Sequence, residues 1–218
     1  MWWIPITIGI GYLISKCLED DVELVSEDTI LSKNFYRLGK ELSNIGDNSV
    51  VTVLGQCGAG KSSLINKLSK GKAVPKAKIG GSTDATDWSQ TADVNFFCKY
   101  KKIWFLDTPG YDTSTHPVNE YINKFPFSKL DNVIFAIAGK IRKSDELIYN
   151  EIRNRLGRNT SKKIIIAYRS DDEINNRDII MDDLDRYFKV RKYGINVVLF
   201  SNRHNMGIDE ICSIFKVE

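Results

Sequence analysis

Cysteine and histidine are scarce in this chain: 218 residues hold four of the first and two of the second. Cys17, Cys57, Cys98 and Cys212 are scattered with no CxxC pair, and only His116 and His204 stand beside them, which argues against a zinc site. Dispersed thiols without a disulfide framework point to a reducing compartment, so a cytoplasmic location is expected. Charge of one sign is also lacking. Lysine and arginine number 31 against 28 acidic residues, and a net +3 is too small to imply wholesale nucleic-acid binding, although it leaves room for a local basic patch. No internal repeat or low-complexity tract is present. The charge-free stretch WWIPITIGIGYLIS at 2–15 falls short of the roughly 20 residues that a membrane-spanning helix needs. It has neither the basic lead nor the cleavage site of a secretory signal. Position 2 is Trp, not the Gly that myristoylation requires. Trp2 and Trp3 suit a membrane interface, whereas Pro5, Gly9 and Gly11 weaken a straight helix. Two readings of residues 2–15 stay open: contact with a membrane surface, or a strap packed on the domain.

What is present is an ordinary globular composition, 42% hydrophobic and 27% charged, enough for one domain with short appendages. We divide the chain into an apolar segment (1–17), an acidic linker and amphipathic helix (18–47), and a main domain (48–218). The helix is read from Leu31, Phe35, Leu38, Leu42 and Ile45, which recur at helical spacing and end near Gly46. Beyond it, strand candidates fall at 49–54, 92–98, 102–107, 132–138, 163–168 and 196–200. Helices are expected near 61–70, 118–125, 143–156, 176–191 and 207–216. Only the second and third strands are joined by a short link, KYK, as in a hairpin. Continuous apolar strands separated by helices predict a three-layer α/β/α fold with a mostly parallel six-stranded sheet and one antiparallel edge strand.

Residues 55–63 read GQCGAGKSS, between the apolar run VVTVL and the amphipathic run LINKLSK. Glycine is costly inside any element, so three of them at a strand-to-helix junction call for a reason. The stretch satisfies G-x-x-x-x-G-K-[ST] from Gly55 to Ser62. Backbone N–H groups of Gly58, Ala59 and Gly60 can then curl around phosphate oxygens at the positive end of the following helix. Lys61 reaches the β- and γ-phosphates, Ser62 is placed to ligate Mg2+, and Ser63 continues the first turn. LDTPG at 106–110 adds Asp107 at a strand end, able to hold Mg2+ through water, and Gly110, whose N–H can sense the γ-phosphate.

Together these residues resemble the Ras-like P-loop GTPases of the translation-factor class, particularly the Era-type and immunity-related members. The likeness runs over roughly 49–216 and is strongest in GQCGAGKSSLIN and LDTPG; PGYDTSTHPVNEYINKFPF also looks like the immunity-related members. The resemblance implies a P-loop NTPase fold, GTP and GDP as ligands, and Mg2+ as cofactor. It implies a switch threonine on Mg2+, for which AKIGGSTDATDW offers Thr83 and Thr86; Thr83, 22 residues after Lys61, is the favoured one and joins Lys61 in the catalytic set. The guanine-reading motif of the family matches Tyr168, Arg169, Ser170 and Asp171. Asp171 would accept from the guanine N1 and N2 donors, Arg169 would lie over the base in place of lysine, and Tyr168 departs from the usual Asn or Thr. SNRHNMGIDEI supplies Ser201, Asn202 and Arg203 at the last motif.

Hydrolysis is where the pattern thins. The position after Gly110 is Tyr111, which has no amide to orient water as the Ras glutamine does. The asparagine that holds potassium in some Era-type members is replaced by Gly58. A slow intrinsic rate is therefore expected, completed by a second protomer or a partner. Asp112, Thr113, Ser114 and His116 are alternative water-positioning groups, His116 being more simply a surface loop residue. The alternatives to a slow GTPase switch are a non-hydrolysing nucleotide scaffold, an ATPase, and a ribosome-associated Era-type GTPase. Because the sequence stops at Glu218, directly after the last predicted helix, no appended RNA-binding domain is expected, and none of the C-terminal helices of immunity-related members. Lys67, Lys70, Lys72, Lys76 and Lys78 form a basic arc near the first switch, read as a solvated face or as a contact for anionic lipid or RNA.

Overall fold

The computed structural model describes residues 29–80, 85–156, 164–171 and 177–217. The apolar segment 2–15 and Thr83 lie outside the described residues. Helix α1 (Ile30–Ser43) begins at Thr29, whose hydroxyl accepts from the Ser32 N–H at 3.1 Å. Strand β1 (Ser49–Gly55) leads to helix α2 (Lys61–Leu68), and β2 (Phe97–Tyr100) turns into β3 (Ile103–Asp107). Helix α3 (Val118–Lys124) and a 3-10 turn (Phe127–Lys129) follow, then β4 (Asn132–Ala138), α4 (Lys143–Leu156) and β5 (Ile164–Arg169). Helices α5 (Arg177–Phe188) and α6 (Val190–Tyr193), strand β6 (Asn196–Phe200) and α7 (Ile208–Phe215) complete the order.

The sheet runs β2-β3-β1-β4-β5-β6, with β2 antiparallel at one edge and every other pairing parallel. Alternating side chains of β1 feed two cores. Val50 and Leu54 join Leu31, Phe35 and Leu38 of α1, Tyr121 of α3 and Ile148 of α4 on one face. Val51 and Val53 join Leu64 and Ile65 of α2 and Ile211 of α7 on the other. Both faces are covered, which is why these strands read as unbroken apolar runs rather than as an alternation.

Many boundaries shift by one to three residues, and two departures have a visible reason. The second strand starts at Phe97 instead of 92. The Ala92 and Val94 carbonyls are taken by the Arg37 guanidinium, and the Phe97 N–H by Asn95 Oδ1 at 3.2 Å, so side chains have replaced the ladder there. Lys99 and Tyr100 belong to that strand, leaving Lys101 and Lys102 as the turn. The helix expected over 176–191 breaks at Lys189, which takes a left-handed φ of 55°; the Arg191 N–H then finds Asp185 Oδ1 at 2.8 Å and α6 restarts.

Candidate nucleotide and metal site

The glycine-rich loop emerges from β1 at the centre of the sheet, where strand order reverses between β3 and β4, the place at which open α/β sheets bind ligands. Gly60 caps α2 with φ 84° and no side-chain cap, and a Cβ there would stand 2.7 Å from Asn202 Nδ2. The left-handed backbone is what favours glycine here, since the Asn202 amide is the end of a side chain that can move. Gly58 is also left-handed at φ 78°. Gly55 pairs with Ala136 of β4, and Ala59 is buried beneath the loop. A cavity of about 310 Å3 opens above, lined by Gly58, Gly60, Lys61, Ser62, Ser63 and Gly110. Lys61 is 7% exposed and donates to the Gln56 carbonyl at 2.9 Å, so its ammonium lies across the floor of the cavity.

Three oxygens meet at the α2 end. Ser62 Oγ donates to Asp107 Oδ2 at 2.8 Å, Thr86 Oγ1 donates to the same oxygen at 3.1 Å, and the two hydroxyls stand 3.5 Å apart. Asp107 Oδ1 is buried and has no hydrogen-bond partner among the described residues. Burial raises the Asp107 pKa, with the Ser62 hydroxyl, the Lys61 charge and the Thr86 hydroxyl opposing it. A buried carboxylate oxygen without a donor, beside two hydroxyls and below a phosphate-sized cavity, fits a hard divalent cation such as Mg2+. Of the two threonines read from the sequence, Thr86 is at this cluster, while Thr83 falls outside the described residues.

At the far wall Arg169 lines both this cavity and a second one bounded by Ala138, Ser170 and Asp171. Its Nε donates to Asp171 Oδ2 at 2.6 Å and its Nη1 to the Gly58 carbonyl at 2.7 Å. Ser201 Oγ donates to Asp171 Oδ1 at 2.9 Å and itself accepts from the Arg203 and His204 N–H groups, both at 3.2 Å. Asn202 Nδ2 reaches the Gly60 carbonyl at 3.2 Å, and its buried Oδ1 has no partner among the described residues. Partial burial would raise the Asp171 pKa, but hydrogen bonds from Arg169 and Ser201 and the charges of Arg169 and Arg203 outweigh it and hold the carboxylate low. An ionised acceptor is what the paired N–H donors of guanine require. Tyr168 lines that second cavity and donates to the Gly139 carbonyl at 3.2 Å.

Comparison with known proteins agrees with this geometry. Residues 50–170, more than half of the chain, match the family model described as 50S ribosome-binding GTPase. The chain belongs to this GTPase family. The GTPase Era of Mycoplasmopsis agalactiae is 29% identical over 173 residues, 77% of this chain and 55% of that protein. The chain therefore spans little more than half the length of that relative. A probable GTP-binding protein EngB of Rickettsia bellii is 24% identical over 182 residues, 79% of this chain and 80% of its own. The solved structure of Era in complex with MgGDPNP and nucleotides 1506–1542 of 16S ribosomal RNA superposes with a TM-score of 0.52 at 22% identity, covering 78% of this chain and 56% of that one, a likeness of fold.

Within this P-loop GTPase domain, Tyr111 and two of the alternative water-positioning groups, Asp112 and His116, are engaged elsewhere. Tyr111 is 1% exposed, lies parallel to Phe135 with centroids 6.4 Å apart, and donates to Asp145 Oδ1 at 2.6 Å. Asp145 also accepts from Gln56 Nε2 and from the Arg142 N–H, so the first residue after Gly110 is bolted to α4. Asp112 Oδ2 accepts from Ser144 Oγ at 2.9 Å. His116 is no surface residue: it is wholly buried, because the Trp88 N–H and the Thr113 and Thr115 hydroxyls close around both ring nitrogens. Sequence reasoning also passed over Asn34 and Gln56, polar residues buried to 1% and 3% exposure. For Asn34 a signal existed: an amide interrupts the apolar face of α1 between Leu31 and Phe35. Among the described residues, no helix is long and apolar enough to cross a membrane, and Cys57, Cys98 and Cys212 form no disulfide.

Proposed function

We propose that this chain is a Mg2+-dependent GTP switch that hydrolyses its nucleotide slowly by itself. The observation that carries the reading is the Ser62–Thr86–Asp107 cluster with its donorless Asp107 Oδ1, directly under the glycine-rich cavity. Ser62 and Asp107 would hold the metal. A metal held there would supply positive charge to the phosphates. Lys61 neutralises the same phosphates from the cavity floor, exchanging its Gln56 carbonyl for them. Asp171 accepts from the guanine N–H pair, and Arg169 ties that reader to Gly58, setting the distance between base seat and phosphate seat. We assign the switch threonine to Thr86, whose hydroxyl is already beside Asp107; Thr83 is the competing assignment. Loss of the γ-phosphate would release the 76–91 and 108–118 loops, as in switch proteins generally.

The deciding experiment titrates fluorescent GTP and ATP against the wild-type chain and Lys61→Ala, with magnesium and with chelator. GTP preference that needs both magnesium and Lys61 supports the reading; equal uptake of ATP, or uptake indifferent to magnesium, sinks it. Single-turnover hydrolysis, repeated over a range of protein concentrations and with anionic vesicles or large ribosomal subunits, then identifies the source of the missing water-positioning group. A rate that rises with concentration assigns it to a second copy of the chain. One that rises with vesicles assigns activation to membrane attachment through residues 2–15. One that rises with large subunits favours the ribosome-associated reading, which the family description and the exposed Lys67, Lys70, Lys72, Lys76 and Lys78 motivate. No turnover in any arm leaves a nucleotide-binding scaffold.

A further inference from the structure

Trp88 stands two residues after Thr86, and its ring, its carbonyl and its backbone N–H are all engaged. Its ring is 2% exposed and meets Phe35 and Phe96 edge-on, with centroids 6.2 and 4.8 Å away. Its carbonyl accepts from Asn34 Nδ2 at 2.7 Å, and its N–H donates to His116 Nε2 at 3.2 Å. Asn34 Nδ2 also serves the Thr91 carbonyl at 2.8 Å. One turn further along α1, Arg37 donates to the Ala92 and Val94 carbonyls and lays its guanidinium 4.5 Å over Phe96. From the opposite side, His116 Nδ1 faces the Thr115 and Thr113 hydroxyls at 2.9 and 3.4 Å, and Asp87 Oδ1 lies 3.2 Å from Nε2. Three parts of the chain therefore converge on one residue: α1, the loop bearing Thr86, and the loop that follows Gly110.

A core position needs shape, not an amide. Burying one costs free energy unless its hydrogen bonds are made, and here they are made only to the backbone of an irregular segment that has no ladder to hold it. That segment continues directly into Thr86. A single residue separates Thr86 from Trp88, so displacement of the tryptophan passes to the Thr86 hydroxyl with little chain to absorb it, and metal-site geometry tolerates small errors only. We propose that Asn34 and His116 are positioning residues that seat Trp88 and so hold Thr86 at Asp107 and Ser62, linking α1 and both switch loops to the γ-phosphate. This inference rests on the assignment of Thr86 given above.

The test uses the full chain in magnesium and compares affinity for GDP with affinity for a non-hydrolysable GTP analogue in Asn34→Ala, His116→Ala and His116→Gln. The analogue-to-GDP affinity ratio is expected to fall roughly tenfold in both alanine variants, the scale seen when a partner behind a metal ligand is removed. GDP affinity, which involves no γ-phosphate, stays within about threefold. His116→Gln retains an acceptor for the Trp88 N–H and recovers most of the ratio. Adding Thr86→Ala to Asn34→Ala produces no further fall, because both changes remove one contact. If Asn34→Ala does not fold, the two His116 variants carry the decision. An unchanged ratio accompanied by a lower Tm would mean that the Trp88 seat is packing alone. A ratio unaffected by Thr86→Ala in the wild-type background, but lost in Thr83→Ala, would overturn the Thr86 assignment and this inference with it.

Discussion

Lys61 and Asp171 sit at opposite ends of the candidate site, and each has a separable consequence. Removing the Lys61 ammonium would delete the charge-assisted bond to phosphate proposed above, so Lys61→Ala is expected to weaken magnesium-nucleotide affinity by about 10- to 100-fold, read by fluorescence titration. Asp171→Ala leaves the cradle intact, and competition between GTP and ATP should show the preference gone while triphosphate binding persists. Tyr111 carries the converse expectation. Its hydroxyl is spent on Asp145, so Tyr111→Phe leaves a buried carboxylate one donor short and costs about 1–3 kcal/mol in chemical denaturation. Single-turnover hydrolysis should stay within about twofold, because that hydroxyl faces α4 and not the phosphates. That the glycine-rich loop, Lys61, Ser62 and Asp107 come together at the ends of β1 and β3 was legible because the motif ties residue type to position along the chain. The partners of Tyr111 and His116 were not, since Asp145 and Trp88 lie 34 and 28 residues away and nothing local announces them.

Helix α1 lies before the first strand, yet Leu31, Phe35 and Leu38 belong to the core on one face of the sheet. Phe35 is wholly buried against Trp88, Tyr121 and Phe125, so Phe35→Ala is expected to cost about 3–5 kcal/mol and to lower Tm sharply in a thermal melt. Periodicity located this helix to within about three residues of its end and strands β4 and β6 at both ends, because an unbroken apolar run leaves little choice of register. It misplaced the start of β2, where ADVNFFC looks like strand throughout. An edge strand has one free side, and there Arg37 and Asn95 took the backbone groups that a ladder would have used. Which competitor claims a carbonyl is decided by what packs nearby, not by the propensity of the residue that carries it.

For the whole molecule, binding and folding are coupled. Nucleotide and magnesium that bind only the folded chain should stabilise it by about 2.7 kcal/mol at one hundred times Kd, and the gain measured with Lys61→Ala at the same concentrations should be much smaller. The Gln56–Tyr111–Asp145 network adds a dependence on pH. Burial raises the Asp145 pKa against the hydrogen bonds from Tyr111, the Arg142 N–H and Gln56 and the Arg142 charge. The folded state therefore holds that proton to higher pH than the unfolded chain does. The contribution is present in full below the unfolded carboxylate value of about 3.9 and is lost as pH rises through the folded value. Against Asp145→Asn, the wild type should accordingly lose relative stability as pH is raised from about 4, whatever the constant offset between the two proteins; a parallel pair of curves would refute this.

The order of strands and helices and the place of the glycine-rich loop after β1 were determined by the sequence by itself, because each depends on neighbours within a few positions: glycine where the backbone must turn, apolar runs where both sheet faces are covered. Only the tertiary structure decided that Tyr111 is withdrawn into the core, that His116 is buried, and that Thr86 reaches Asp107. Those outcomes hang on contacts between residues tens of positions apart, and such contacts exist only once two cores have packed against the same sheet.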